Sequence, residues 1–213
     1  MIARALAAVL IFASVAAASD ADVRVDAQRH AAAAGAVGTV TGHAWEERRK
    51  PGGVAQPLGG AVVTLVPHSS ALTAQLEGIR TRSRDSATAY RASARAIRLA
   101  REAYEKALWE AGAADLVRTS VVDTTGGFRV DLPAGPWLLI VTRSVRVGKA
   151  SPRATKRERE TYAPALRLMG FSAVSVWVRE LMVSAGRIEE VELTDRNVWF
   201  TGIEEERTLD ARP

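Results

Sequence analysis

The chain has 213 residues, of which 47% are hydrophobic and 25% are charged, and it contains no cysteine. The lack of cysteine excludes a disulfide framework, a thiolate zinc finger and a cysteine nucleophile. The formal charge is +5, but most of the basic residues are arginine. Together with abundant alanine this bias is typical of GC-rich codon usage, so the charge alone does not point to a nucleic-acid partner.

The N-terminus has the pattern of an export signal. A short basic start ending at Arg4 precedes a small and apolar run over residues 5–18. Ala16 and Ala18 supply the small-x-small pattern that signal peptidase recognises, which predicts cleavage after Ala18. A membrane anchor is the alternative, but the run is shorter than the ~20 residues that a spanning helix needs. We therefore expect a periplasmic or secreted protein.

The next two segments differ in pattern. Residues 19–36 show no steady hydrophobic period and are predicted to be a linker. Residues 37–45 alternate, with Val40, Gly42 and Ala44 on one face, which is typical of a half-buried strand. Residues 46–60 are rich in proline and glycine and are predicted to form a loop, and the β-branched run at 61–67 is predicted to be a buried strand.

Residues 69–118 contain no proline and are predicted to be helical. One unbroken helix from 71 to 114 would be about 65 Å long at ~1.5 Å per residue. The strands before and after it belong to one small sandwich, so the insert must return to its start. We therefore predict a helical hairpin that reverses at residues 81–86, where Ser or Asp can cap the second helix.

The rest of the chain is predicted to consist of strands. Their number, with turn signals at close spacing, predicts an antiparallel immunoglobulin-like β-sandwich of about seven strands with an inserted helical hairpin. The sandwich is expected over residues 37–204, followed by a C-terminal tail at 205–213. The later strands are predicted at residues 128–132, 137–142, 173–183, 188–194 and 197–202.

Several turn and strand motifs share one family pattern. They lie at residues 38–42, 57–65, 123–128, 132–137 and 183–186. In them Gly126 and Gly127 are predicted to allow positive φ in a hairpin before Phe128, and residues 133–136 are predicted to form the next reversal. With them the chain resembles the carboxypeptidase regulatory-like family, transthyretin-like sandwiches of secreted bacterial proteins. The resemblance covers 37–202 outside the insert and a loop at 149–167, and Trp137 stands where the family usually has tyrosine. It implies the fold, but domains of this kind serve as stabilising, docking or sugar-binding modules.

Catalytic motifs find little support. His43 and Glu46 form an H-x-x-E pattern, but residues three apart on a strand point to opposite faces and cannot share a metal. No serine stands in a G-x-S-x-G motif, and no glycine loop has the lysine that a phosphate site needs. We predict no enzyme activity, metal or cofactor, and we interpret the acidic runs 189–190 and 204–206 as solvated edges.

The insert has a distinctive charge pattern, because residues 80–101 contain seven arginines and one acid. The plain interpretation is a solvated helix face. The alternative is a docking surface for an envelope protein or an anionic surface polymer or lipid. Nucleic acid is not expected, since no aromatic stacking platform lies among the arginines. The candidate interaction residues are Arg84, Arg91, Arg95, Arg98 and Arg101. A mixed charge cluster at 153–160 is predicted to lie in a loop.

The five tryptophans divide by context. Trp137 and Trp177 lie in apolar strands and are predicted to be core, and Trp109 is predicted to pack between the helical arms. Trp45 and Trp199 lie near strand ends and are candidate glycan contacts. The sequence favours an exported, non-catalytic module with a structural or protein-interaction role at the bacterial cell envelope. The alternatives are a carbohydrate-binding module of the same fold and, more distantly, an accessory domain of a hydrolase.

Overall fold

The computed structural model describes residues 16–47, 54–148 and 166–209. Most of the predicted signal sequence and the charge cluster at 153–160 lie outside these residues. The elements in chain order are α1 (Ala16–Ala33), β1 (Val37–Glu46), β2 (Gln56–Pro57), β3 (Val62–Pro67), α2 (Ser70–Arg82), α3 (Ala87–Glu110), a short 3₁₀ turn (Ala114–Leu116), β4 (Arg118–Val121), β5 (Gly127–Pro133), β6 (Gly135–Val147), β7 (Leu166–Val183), β8 (Ile188–Thr194) and β9 (Phe200–Leu209).

The strands form two sheets, which confirms the predicted β-sandwich with a helical insertion. In sheet A, β1 lies between β8 and β5, and the two-residue β2 pairs with the end of β1. Sheet B has the order β4-β3-β6-β7-β9. The pairing of β8 with β1 is parallel, whereas the other pairings are antiparallel. This departs from the expected all-antiparallel sandwich, because the chain enters and leaves β8 by crossing between sheets and not by a hairpin.

Two predicted reversals are crossings between the sheets. The turn ending at Gly126, which has φ 90°, carries the chain from sheet B to sheet A. Gly135, with φ 141°, stands where the chain returns to sheet B. The hairpin expected before Phe128 is therefore wrong, since β4 and β5 belong to different sheets. The glycines provide the positive φ that the sequence indicated, but for a different connection.

The core between the sheets uses the alternation predicted for β1. Val40 and Ala44 are buried, and a Cβ at Gly42 would lie 1.9 Å from a ring carbon of Phe128. Gly42 therefore allows the aromatic ring to pack directly on the strand backbone. Trp177 of sheet B donates its indole N–H to the carbonyl of Thr194 in sheet A at 2.8 Å. Like Trp137, it is fully buried, as predicted.

The helical hairpin is confirmed, with its reversal between α2 and α3. The Ser86 hydroxyl accepts the N–H of Ala89 at 3.0 Å and caps α3. The hairpin covers the face of sheet B that points away from sheet A, since Ala94 of α3 and the Phe200 ring both lie beside Gly202 of β9. Because sheet B is covered on both faces, the consecutive residues 137–141 of β6 are all buried.

The predicted linker at 19–36 differs most from the structure, because α1 occupies most of it. Val25 is buried, and the buried Gln28 side-chain amide donates to the carbonyl of Pro136 at 2.7 Å. Alanine has the highest helix propensity, and α1 packs against β5, β3 and β6. A search for hydrophobic periodicity cannot detect such a helix, because the helix is held by a few contacts with residues that are distant in sequence.

Three strands extend beyond their predicted bounds. β6 continues to Val147, β7 begins at Leu166, and β9 continues to Leu209 through the predicted tail, while the short strand β4 was not predicted. In the extended region Arg146 of β6 pairs with Glu206 of β9 at 2.8 Å. Polar strands of this kind lack the apolar alternation on which strand prediction depends. None of the helices in the described ranges is long and apolar enough to cross a membrane.

Candidate functional site

Trp109 and Trp199 have contrasting surroundings. Trp109 is 68% exposed, so the predicted packing between the helical arms is wrong. Trp199 donates its indole N–H to Glu77 at 2.8 Å, and the Arg80 guanidinium lies 5.2 Å from its ring centroid. Trp199 therefore fixes α2 to the sandwich by a hydrogen bond and a cation–π contact.

Trp45 lies on the outer face of sheet A, and none of the described helices covers it there. Its side chain is half-buried, and the exposed His43 is two residues before it on the same face. The two ring centroids are 5.5 Å apart, with the ring planes at 70°. This edge-on contact fixes the orientation of the indole and leaves part of its surface open to solvent.

A groove runs between Trp45 and β8. The parallel register places Thr41 beside Glu190 and His43 beside Glu192, and all four line the groove. Its volume of about 450 Å³ falls within the range usual for ligand sites. The groove therefore combines an aromatic ring with hydroxyl and carboxylate groups.

A second groove lies on the opposite side of the ring pair. It has a volume of about 390 Å³ and is lined by Ala55, Pro57 and Thr125 together with His43 and Trp45. Pro57 pairs directly with Trp45, so β2 forms one wall of this groove. The ring pair thus separates an acidic groove from a largely apolar one.

The loop that carries Thr125 is fixed by Asp123. Its Oδ1 accepts the Thr125 hydroxyl at 2.7 Å, the Thr125 N–H at 2.8 Å and the Gly127 N–H at 2.9 Å. These hydrogen bonds, with the Thr125 hydroxyl contributing most, lower the pKa of Asp123 below its ordinary value. The ionised carboxylate therefore holds one wall of the apolar groove in place.

The β5 side of the face carries a small polar network. The Thr39 hydroxyl donates to Asp131 at 2.6 Å, and the Arg129 guanidinium lies 3.9 Å from the same carboxylate. These groups continue the row of outward side chains on β1 across to β5. The open face of sheet A thus carries polar side chains on β1, β5 and β8, with exposed Val37 and Ile188 at one end and Trp45 as its large aromatic group.

The five candidate arginines do not form one cationic surface. Arg98 lies 2.8 Å from Glu204 and 3.2 Å from Glu102, and the hydrogen bond to Glu204 is the main cause that raises the pKa of Arg98. Arg101 lies 3.1 Å from Glu105. Glu105 is partly buried, and this desolvation raises its pKa.

The other three candidates are more open. Arg91 is 3.8 Å from Glu205, while Arg84 and Arg95 are exposed and have no ion-pair partner among the residues described. The acidic run 204–206 is not the simple solvated edge that we predicted, since Glu204, Glu205 and Glu206 each pair with an arginine. These partners are distant in sequence, so the composition of the insert did not indicate them.

The sequence predicted which side chains of β1 share the open face, but not that β8 lies beside them. The alternation of β1 placed Thr39, Thr41, His43 and Trp45 together, and this grouping is confirmed. Glu190 was grouped with a solvated edge, because the parallel β1–β8 pairing cannot be read from local patterns. In the described part of the chain no group of three His, Cys, Asp or Glu residues could hold a metal ion.

Comparisons with known proteins give a distant likeness. No family model matches the chain, and no curated protein matches it in sequence. A solved structure from Pseudomonas aeruginosa, named "putative carbohydrate binding protein", has 16% sequence identity and a TM-score of 0.41. The match covers 78% of this chain and 95% of the other. A likeness at this distance does not transfer a function from one protein to the other.

Proposed function

We propose that the protein is a carbohydrate-binding module whose site is the open face of sheet A. The observation that carries the proposal is the half-exposed Trp45 ring, which is fixed by His43 and lies between two grooves. An aromatic face can pack against the apolar C–H face of a sugar ring. Hydroxyl and carboxylate groups beside it can hydrogen-bond the sugar hydroxyls, which gives orientation and specificity.

The arrangement of the face favours a polymer over a single sugar. The two grooves meet at the ring pair, so a chain of sugar units can cross Trp45 and extend into both. Little movement is needed on binding, because the face is built on paired strands and the Asp123 loop is held by hydrogen bonds. A pre-formed site of this kind loses little conformational entropy when it binds.

The proposal is tested with a pair of tryptophan variants. Calorimetric titration would use soluble oligosaccharides of β-1,4-linked glucose and of β-1,4-linked N-acetylglucosamine. We expect Trp45→Ala to weaken binding at least ~10-fold, since a central aromatic contact contributes more than 1 kcal/mol. Trp109→Ala removes an exposed tryptophan from α3 and is the matched control, which we expect to bind like the wild type.

Two results would contradict this proposal. A wild-type protein that binds none of a panel of neutral, amino and acidic glycans is not a carbohydrate-binding module. If both tryptophan variants bind as well as the wild type, the site is not on the face that carries Trp45. Thermal melts of both variants show whether any loss of binding is due to unfolding.

We also propose that the module is exported, non-catalytic and of the carboxypeptidase regulatory-like type. Export is supported by the basic start and apolar run of residues 1–18, and the family by the turn and strand motifs at 38–42, 57–65 and 123–128. N-terminal sequencing of protein recovered from the periplasm is expected to begin at Ser19. Recovery of unprocessed chain with the membranes would contradict cleavage.

Docking to an envelope protein or anionic polymer is the second candidate. It is favoured by Arg84 and Arg95, which are exposed and lack an ion-pair partner within the described ranges. Replacing both with glutamate is expected to abolish recovery of an envelope partner without changing the melting temperature. Undiminished recovery would remove this candidate.

A further inference from the structure

The groove between Trp45 and β8 has an acidic wall. Glu190 and Glu192 are both exposed there and alternate on β8, so both point outward beside Thr41 and His43. Neither carboxylate has a hydrogen-bond or ion-pair partner among the described residues, in contrast to the glutamates of β9. They are therefore available to a ligand that lies against Trp45.

The described residues of the open face do not neutralise these two charges. On the outward positions of β1, β5 and β8 the positive charge is Arg129, which lies 3.9 Å from Asp131 and also donates to the Thr39 hydroxyl. Counting Glu190, Glu192 and Asp131 against Arg129, carboxylates outnumber guanidinium groups on these strands. The chain as a whole has a formal charge of +5, so the face is an acidic surface on a basic protein.

The position of the acidic wall indicates the class of sugar. A ligand stacked on Trp45 would place its substituents within reach of Glu192, whose neighbour across the strands is His43. A uronate or a phosphorylated sugar would bring a negative charge beside two free carboxylates, which is unfavourable. A protonated amine would make charge-assisted hydrogen bonds to them, and these are stronger than bonds between neutral groups.

We infer that the site is selective for glycans that contain free amino sugars, with Glu190 and Glu192 as the residues that determine this selectivity. The inference rests on the proposed glycan-binding function and adds the substrate class to it. N-acetylated sugars are expected to bind without the charge-assisted contact, and polyuronates are expected to be rejected. Selectivity of this kind comes both from attraction of one ligand and from repulsion of its competitor.

The test compares three oligosaccharides of equal length by calorimetry. They are a β-1,4-linked N-acetylglucosamine tetramer, its fully N-deacetylated counterpart and a tetramer of uronic acid. The buffer contains a chelator and is at about pH 5.5, between the ordinary pKa of a glutamate (~4.3) and that of a sugar amine. At low salt we expect the free-amine tetramer to bind ~10-fold more tightly than the acetylated one, with the difference falling at 1 M NaCl. The uronic acid tetramer is expected not to bind.

The decisive variant is Glu190→Gln/Glu192→Gln. It should reduce the preference for the free amine to less than ~2-fold, mainly by weakening binding of the free-amine tetramer. Glu110→Gln/Glu206→Gln is the control, because it changes the net charge equally on α3 and β9. That variant should keep the full preference.

The outcomes separate this inference from the proposed function. Equal affinity of the wild type for the acetylated and free-amine tetramers overturns the inference and leaves glycan binding in place. A preference that persists in Glu190→Gln/Glu192→Gln also overturns it, since other groups then recognise the amine. Failure of all three tetramers and of the neutral panel contradicts both proposals.

Discussion

The outer faces of the two sheets differ in what covers them. On sheet B the hairpin of α2 and α3 covers the face, and five successive residues of β6 are buried. On sheet A the face is open, and β1 alternates between buried and partly exposed positions. The insertion thus closes one face of the sandwich, whereas the outward side chains of the described residues on the other face are open to solvent.

The charges on the two sides differ in the same way. On the closed side the glutamates of β9 are paired with arginines, two of them from α3 and one from β6. On the open side Glu190 and Glu192 have no such partners among the described residues. Carboxylates that already have cationic partners contribute to folding, whereas unpaired ones beside an aromatic ring are available for a ligand.

The largest difference in stability is expected between two variants that each place a lysine on one of the faces. Ile140→Lys puts a charge at a fully buried position under the hairpin, and we expect a loss of at least ~3 kcal/mol in the free energy of unfolding, because the charge has no partner. Thr41→Lys makes the same change on the open face and should stay within ~0.5 kcal/mol of the wild type.

Urea denaturation of both lysine variants measures this difference. Equal destabilisation by the two substitutions would show that the open face of sheet A is covered in solution. It would then be unavailable to a glycan, and the contrast between the faces would be lost. The spectrum of folded Thr41→Lys at low urea is the control for correct folding.

A smaller effect is expected from the ion pair that joins α3 to β9. Arg98 and Glu204 are 2.8 Å apart and both are partly exposed, so we expect a coupling energy of about 0.5–1 kcal/mol. A double-mutant cycle with Arg98→Ala and Glu204→Ala measures it. The coupling should decrease at high salt, and glycan affinity should be unchanged in all variants. A coupling of zero would mean that this ion pair does not help to hold α3 on β9.

The smallest effect is local and depends on pH. The pKa of Asp123 is lowered in the folded state, so its contribution to stability is present above the unfolded pKa of ~3.9 and is lost as the pH falls through the folded value. NMR titration of the carboxyl group should therefore give a midpoint below the ordinary one. Asp123→Ala should remove this dependence and weaken glycan binding, because Thr125 loses its anchor. A midpoint at the ordinary value would contradict the proposed support of the site.

The sequence by itself determined the strands, the hairpin and the composition of one face. Period-two alternation in β1 grouped His43 with Trp45, and the lack of proline with cap signals placed the reversal before Ser86. These features depend on neighbouring residues, so they can be read locally. The same holds for Trp137 and Trp177, whose apolar strands indicated the core.

The tertiary structure alone decided which surfaces are free. The parallel contact of β8 with β1 brings Glu190 and Glu192 to Trp45 across about 150 residues, and no local pattern records such a pairing. The same kind of distant contact pairs Arg98 with Glu204 and Trp199 with Glu77. Composition shows which charges and rings a chain has, whereas the pairing of distant strands determines which of them remain available to a ligand.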